Sequence, residues 1–191
     1  MAATVDAGAD WVGLVFAPGS PRSITPEAAA TLAAPYTIQR VGLFVDPSDD
    51  DLDIVLAGVR LDILQLHTSL ARAQAIRKRT GLPVWHAAGI ATRSDLPGVA
   101  AGVDAFLLDA KAPSGAPLPG GNARAFDWTI LRGWQSPCPW LLAGGLTPEN
   151  VGRAITMSQA DAVDVSSGVE SSRGHKSPEL IRSFVAAARA T

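Results

Sequence analysis

Short, nearly continuous apolar runs alternate with alanine-rich segments of helical spacing along the whole chain. The apolar runs fall at residues 11–16, 39–45, 63–66, 83–87, 105–109, 140–143 and 162–166. A strand with one wet face would alternate apolar and polar positions. These runs do not, so they read as parallel strands buried on both faces. The helical segments between them fall near 26–34, 48–58, 70–79, 92–101, 126–132, 147–156 and 178–190. Three of them open with the same punctuation: Thr25-Pro26-Glu27, Thr147-Pro148-Glu149 and Ser177-Pro178-Glu179. A hydroxyl N-cap, a proline in the first turn and an acid beside it satisfy the free N–H groups and the helix dipole.

This alternation predicts an α/β fold of the (β/α)8, TIM-barrel type in one domain spanning 1–191. Such a barrel closes with eight strands, and seven runs are present. Residues 1–8 read as the tail of a helix closed by Gly8. A helix ahead of the first run implies a strand ahead of that helix, so the first strand is expected to be missing from this chain. The longest irregular stretch, 110–124, is rich in Gly and Pro, and long loops in compact domains are usually functional or mobile.

Two runs end in glycine-bearing turns. Residues 140–143 lead into Gly144-Gly145 and then Thr147-Pro148-Glu149; residues 162–166 lead into Ser166-Ser167-Gly168. Glycines after a strand let backbone N–H groups approach an anion, and a following helix adds its dipole. Two such turns on consecutive late strands describe the phosphate site of a barrel of this class. The expected ligand is a small phosphorylated metabolite.

Composition narrows the rest. The 191 residues, 47% of them hydrophobic, suffice for one domain with a sizeable core. The net charge of −2 comes without a basic patch, which argues against nucleic acid as a partner. One cysteine excludes an internal disulfide framework and suits a reducing compartment. No apolar run reaches membrane-spanning length, and the N-terminus lacks the basic start of a secretory signal. The expectation is a cytoplasmic protein with no membrane partner; oligomeric state is not readable.

A set of motifs runs along the chain: Ala7-Gly8-Ala9-Asp10, Ser20-Pro21-Arg22, Val41-Gly42-Leu43-Phe44-Val45, Gln65-Leu66-His67 and Phe106-Leu107-Leu108-Asp109. It continues through Gly120-Gly121-Asn122 with Phe126-Asp127-Trp128, Ala143-Gly144-Gly145-Leu146 with Pro148-Glu149-Asn150-Val151, and the run from Asp164 to Glu170. In these motifs and their order the chain resembles the phosphoribosylanthranilate isomerase family of tryptophan biosynthesis. The resemblance implies conversion of N-(5-phosphoribosyl)anthranilate to 1-(2-carboxyphenylamino)-1-deoxyribulose 5-phosphate, an Amadori rearrangement that needs no cofactor and no metal. Asp109 matches the general acid that protonates the furanose oxygen, and an Asp at an apolar strand mouth suits that role. Arg22 matches the arginine at the anthranilate end, where a planar guanidinium suits a carboxylate; it also reads as a surface arginine. His67 and Asp164 match pocket-lining positions, and His67 reads equally well as a packed rim residue. Gly144, Gly145, Ser166, Ser167 and Gly168 match the phosphate-binding turns.

The departures concern the base. The family takes the C2′ proton with a cysteine in a Lys-x-Cys-Gly motif at the end of the first strand, and that motif is not in this sequence. Cys138, between Pro137 and Pro139 and just ahead of a strand, is expected at the N-terminal, stability face of the barrel as a small apolar filler. Smaller departures are Thr68-Ser69-Leu70 after His67, His86 where a lysine is frequent, Ala123-Arg124 after the glycine motif, and Lys176-Ser177 near the end. Two readings follow: an isomerase whose start is placed too late, or a paralogue that binds a phosphorylated ligand or a partner without turnover. A third, another phosphosugar barrel such as indole-glycerol-phosphate synthase, fits less well, because none of Lys78, Lys111 and Lys176 ends a run.

Overall fold

The computed structural model describes residues 1–99, 102–112 and 125–191. Six strands form one parallel sheet: β1 (Trp11–Val15), β2 (Gln39–Val45), β3 (Ile63–His67), β4 (Val84–Ile90), β5 (Ala105–Ala110) and β6 (Trp140–Leu142). They lie side by side in chain order, each paired with the next. Helices α1 (Ala2–Asp6), α2 (Pro26–Ala33), α3 (Asp49–Gly58), α4 (Leu70–Thr80), α5 (Val151–Ser158) and α6 (Pro178–Arg189) supply connections and cover. A small antiparallel hairpin, β7 (Glu170–Ser172) and β8 (His175–Lys176), stands apart from the sheet.

The seventh apolar run is not a full strand. It touches β6 through the single parallel bridge Leu142↔Val163, with Leu142 N donating to Ala162 O at 2.9 Å and Asp164 N to Leu142 O at 2.8 Å. Ser166, at φ −120° and ψ −84°, already leaves the extended conformation and ends the pairing. Two expected helices are also shorter. Of the expected helix at 92–101, the described residues 92–99 hold a 3-10 turn at Arg93–Asp95, just ahead of Pro97 and Gly98. Residues 126–132 yield a 3-10 turn at Trp128–Leu131, opened by Asp127 accepting from Thr129 N.

Helix punctuation works where the cap reaches its target. Thr25 caps α2 and Ser177 caps α6 through their hydroxyls, each with proline in the first turn. Ser48 and Asp51 form a capping box on α3. At its C-terminus α1 turns off through Gly8, φ +79°, where Ala9 N returns to Thr4 O. No helix among the described residues is long and apolar enough to cross a membrane.

Period-two alternation places the side chains. One end of the sheet's inner face is a layer with one residue from each element: Val41, Ile63, Trp85, Ala105 and Leu141, joined by Trp11 and Ala162. Trp11 and Trp85 meet edge-to-face with ring centroids 5.3 Å apart. The opposite parity, with Phe44, Leu64, Leu66, Phe106 and Leu108, packs under the helices against Leu52, Ile76, Val151 and Phe184. Fully burying each such side chain stabilises the fold by about 1.5–3 kcal/mol.

Candidate active site

Stepping by two from that inner layer toward the C-terminal strand ends leads from Val41 to Val45, Ile63 to His67, Trp85 to Ala87 and Gly89, and Ala105 to Asp109. These residues converge on one cavity of about 630 Å³, whose lining also includes Asp46 and Lys111. The same step from Ala162 reaches Asp164. Sequence period alone therefore aims His67, Asp109 and Asp164 at the same end of the sheet.

Asp109 is half-buried at the end of β5. Burial pushes its carboxyl up to about 7, and the nearby charge of Asp164 pushes the same way. The Ala110 N–H, donating to Oδ1 at 2.8 Å, opposes both. Asp164 is raised as well, by burial, with Lys176 opposing. A carboxyl that holds its proton near neutral pH can act as a general acid. His67 sits at the end of β3. Burial lowers it to about 4, His86 adds to the lowering, and Asp46 opposes. It is therefore a neutral imidazole at pH 7, with Gln65 Nε2 3.3 Å from its Nε2. His86 has the opposite parity to Ala87 and Gly89, bonds the Thr68 carbonyl at 2.9 Å and is not among the residues that line the cavity.

The two glycine turns lie together. Gly144 and Gly145 both have positive φ, +87° and +62°, which L side chains rarely adopt. A Cβ on Gly144 would lie 2.7 Å from Asp109 Oδ1 and 2.6 Å from Ala110 N, so the first turn packs directly on the acid. A Cβ on Gly168 would collide with the Leu146 carbonyl, so the second turn packs on the first. Among the described residues, the amides of Gly144, Gly145, Ser167 and Gly168 donate to no protein acceptor.

The helix expected to open at Thr147 begins instead at Val151, after a turn. The Thr147 carbonyl still accepts from Val151 N at 3.0 Å, and Asn150 braces the turn between them. Its Oδ1 accepts from Thr147 N at 2.8 Å and its Nδ2 donates to Gly145 O at 2.9 Å, so the side chain ties the glycine turn to the helix start.

Arg22 is not in the cavity lining. Its Nε and Nη2 grip Glu170 at 2.6 and 2.9 Å. Glu170 also accepts from Lys176 Nζ at 3.0 Å and Gly174 N at 3.1 Å. Burial favours its neutral form, but these donors outweigh it and hold the carboxyl at about 2. Sequence reasoning assigned no role to Asp46, Lys111, Asn150, Glu170 or Lys176. Glu170 and Lys176 stand in or beside recognised motifs; the pairing of Glu170 with Arg22 spans 148 residues and leaves no local signal.

Cys138 precedes β6, at the end of the sheet opposite Asp109. Burial raises its thiol, and Asp104 raises it further, which is the reverse of an activated nucleophile. No cluster of three metal-ligating side chains occurs among the described residues. The motif Gly120-Gly121-Asn122 and its neighbours Ala123-Arg124 lie outside the described residues.

A parallel β/α half-barrel with its polar groups gathered at the C-terminal strand ends defines a TIM-type enzyme. The family model described as N-(5'phosphoribosyl)anthranilate (PRA) isomerase matches residues 1–187. The N-(5'-phosphoribosyl)anthranilate isomerase of Acidiphilium cryptum is 54% identical over 188 residues, covering 98% of this chain and 92% of that protein. That of Paracoccus denitrificans is 55% identical over 199 residues, covering 100% and 92%. The crystal structure of phosphoribosyl anthranilate isomerase from Thermotoga maritima superposes with a TM-score of 0.83 at 32% identity, covering 100% of this chain and 93% of that one. A phosphoribosyl anthranilate isomerase in complex with reduced 1-(o-carboxyphenylamino)-1-deoxyribulose 5-phosphate gives 0.81 at 30% identity, covering 100% and 92%. The chain belongs to the N-(5'-phosphoribosyl)anthranilate isomerase family.

Proposed function

We propose that Asp109 is the general acid in the isomerisation of N-(5'-phosphoribosyl)anthranilate to 1-(2-carboxyphenylamino)-1-deoxyribulose 5-phosphate. By family the chain is an intramolecular isomerase of tryptophan biosynthesis. The observation that carries the role of Asp109 is its carboxyl, held near neutrality at the cavity mouth and packed against the Gly144 turn. Its proton opens the furanose ring by moving to the ring oxygen as the C1′–O bond breaks, which yields a Schiff base. Gly144, Gly145, Ser166, Ser167 and Gly168 hold the phosphate through backbone N–H groups. His67 stays neutral and lines the sugar. Burial keeps Asp109 protonated, and Asp164 adds to that. Arg22 serves the anthranilate carboxylate while anchored through Glu170.

Removal of the C2′ proton needs a base, and Cys138 lies at the wrong end of the sheet with a raised thiol. We propose that the half-barrel belongs to a (β/α)8 barrel whose first strand, with the family's Lys-x-Cys-Gly base, is not among residues 1–191, and that it pairs along the outer edge of β1. Residues 1–191 alone then bind the substrate and turn it over poorly. The test is a fluorescence assay of anthranilate-substrate turnover, on this chain and on a version joined to the first strand of a relative. In the active version Asp109→Asn keeps the shape, removes the proton and lowers kcat by about 100- to 10,000-fold. Near-full turnover by that variant rules out Asp109 as the acid.

A further inference from the structure

We propose that Lys176, fixed by Glu170, is a positioning residue that sets the orientation of the Ser166–Ser167 peptide and so the anion-binding competence of the second turn. The inference rests on the phosphate reading above. Lys176 sits on β8, which the hairpin folds back toward residues 166–168. Its Nζ donates to the Ser166 carbonyl at 2.7 Å and to Glu170 Oε1 at 3.0 Å, and approaches Ser166 Oγ at 3.4 Å. In a trans peptide the C=O and the following N–H point in opposite directions. Drawing the Ser166 carbonyl toward Lys176 therefore turns the Ser167 N–H the other way. Among the described residues that N–H donates to no protein acceptor.

Donor counting separates this role from the plainer one of a free cation beside a phosphate. An ammonium has three N–H donors and no acceptor. The Ser166 carbonyl and Glu170 take two of those of Lys176, and Ser166 Oγ stands 3.4 Å from it, so most of its donor capacity is turned to the protein. Its charge is answered by Glu170, whose side chain is only 5% exposed. Glu170 in turn has both oxygens doubly used, Oε1 by Arg22 Nε and Lys176, Oε2 by Arg22 Nη2 and Gly174 N. The carboxylate is thus the fixed point from which Lys176 reaches the turn.

The two roles predict opposite signs for one substitution. If Lys176 were a free counter-charge, Glu170→Gln would remove a competing anion and tighten phosphate binding. If Lys176 is a positioning residue, Glu170→Gln releases it and binding weakens. The experiment titrates inorganic phosphate into residues 1–191 by 31P NMR, for the parent, Glu170→Gln, Lys176→Met, Lys176→Arg and Gly145→Val. Expected are losses of about tenfold or more for Glu170→Gln and for Lys176→Met, the scale of a charged hydrogen bond. The Lys176→Met loss persists at high salt, where a screened point charge would count for little. Lys176→Arg recovers only part, since a planar fork does not retrace the three contacts. Unchanged or tighter phosphate binding by Glu170→Gln with a native melt overturns the proposal. Should Glu170→Gln not fold, Lys176→Met decides: a loss that disappears at high salt, or no loss, overturns it. Equal phosphate binding by the parent and Gly145→Val overturns the phosphate reading instead, and this inference with it.

Discussion

Asp109→Asn should make the protein more stable, and by an amount that depends on pH. In the folded chain burial lifts the Asp109 carboxyl from its usual 3.8 to about 7. Folding therefore favours the protonated form. Below pH 3.8 both states hold the proton and Asp109 costs nothing. Between 3.8 and 7 the unfolded chain releases a proton that the folded chain keeps, so stability falls as pH rises. Above 7 the loss levels off, at an upper bound of about 4 kcal/mol, because each tenfold in proton affinity is worth ~1.4 kcal/mol. Asparagine carries no proton to lose, so the variant escapes this cost. Its Oδ1 can still accept the Ala110 N–H, but its Nδ2 sets a buried donor where Asp109 has its second oxygen, which returns about 1 kcal/mol of it. The expected gain is about 2–3 kcal/mol at pH 8 and near zero at pH 5. In a domain of this length that is roughly 4–10 °C in melting temperature at pH 8. Paired thermal melts of parent and variant at the two pH values measure it, and the assay needs no turnover. A shift that is the same at pH 5 and pH 8, or a variant less stable than the parent at pH 8, would refute the claim that Asp109 is a buried acid holding its proton.

Three further outcomes follow from the same geometry. Gly168→Ala puts a Cβ onto the Leu146 carbonyl and must part the two turns, so it should cost about 1–3 kcal/mol in a urea melt and weaken phosphate binding together. His67, lowered to about 4 by burial, should show no imidazole titration by 15N NMR between pH 5.5 and 8; its contribution to stability is present above pH 6.5 and fades as pH falls toward 4. Cys138→Ser should leave any turnover unchanged, and the Cys138 thiol should react slowly with a disulfide reagent at pH 8; robust turnover by residues 1–191 that this change abolishes would overturn the placement of Cys138 away from the chemistry.

What the sequence disclosed tracks how local each signal is. Parallel strands buried on both faces leave unbroken apolar runs, so β2 falls on the run at 39–45 and β5 within a residue of the run at 105–109. Caps are equally local, which is why Thr25 and Ser177 open α2 and α6 as read. Thr147 carries the same three-residue punctuation, but only a turn follows it and α5 runs from Val151; the Thr147 carbonyl still accepts from Val151 N at 3.0 Å, so the signal stands one turn ahead of the helix. The run at 162–166 is apolar enough for a strand, yet the turn at Ser166 ends its pairing at one bridge. In the site, period two was sufficient to send His67, Asp109 and Asp164 to one end. The hold of Glu170 on Arg22 and Lys176 was invisible, since it joins the loop after β1 to a hairpin 148 residues away, and no spacing rule reaches that far.

The strand order has a consequence for how the molecule is made. Every neighbour in the sheet is also the next strand in the chain, so no ladder waits for a distant segment to arrive. Each new strand can dock on the last one formed, with the loop-closure cost of a single connection. Assembly can then advance from one end like a row of shingles, in step with synthesis. The Arg22–Glu170 grip is the exception. It joins a segment laid down near the start to one laid down near the end, and so it becomes available only after the whole row is in place. The grip is therefore also a completion mark: a chain stalled before Glu170 holds a sheet in which Arg22 has no carboxylate to hold.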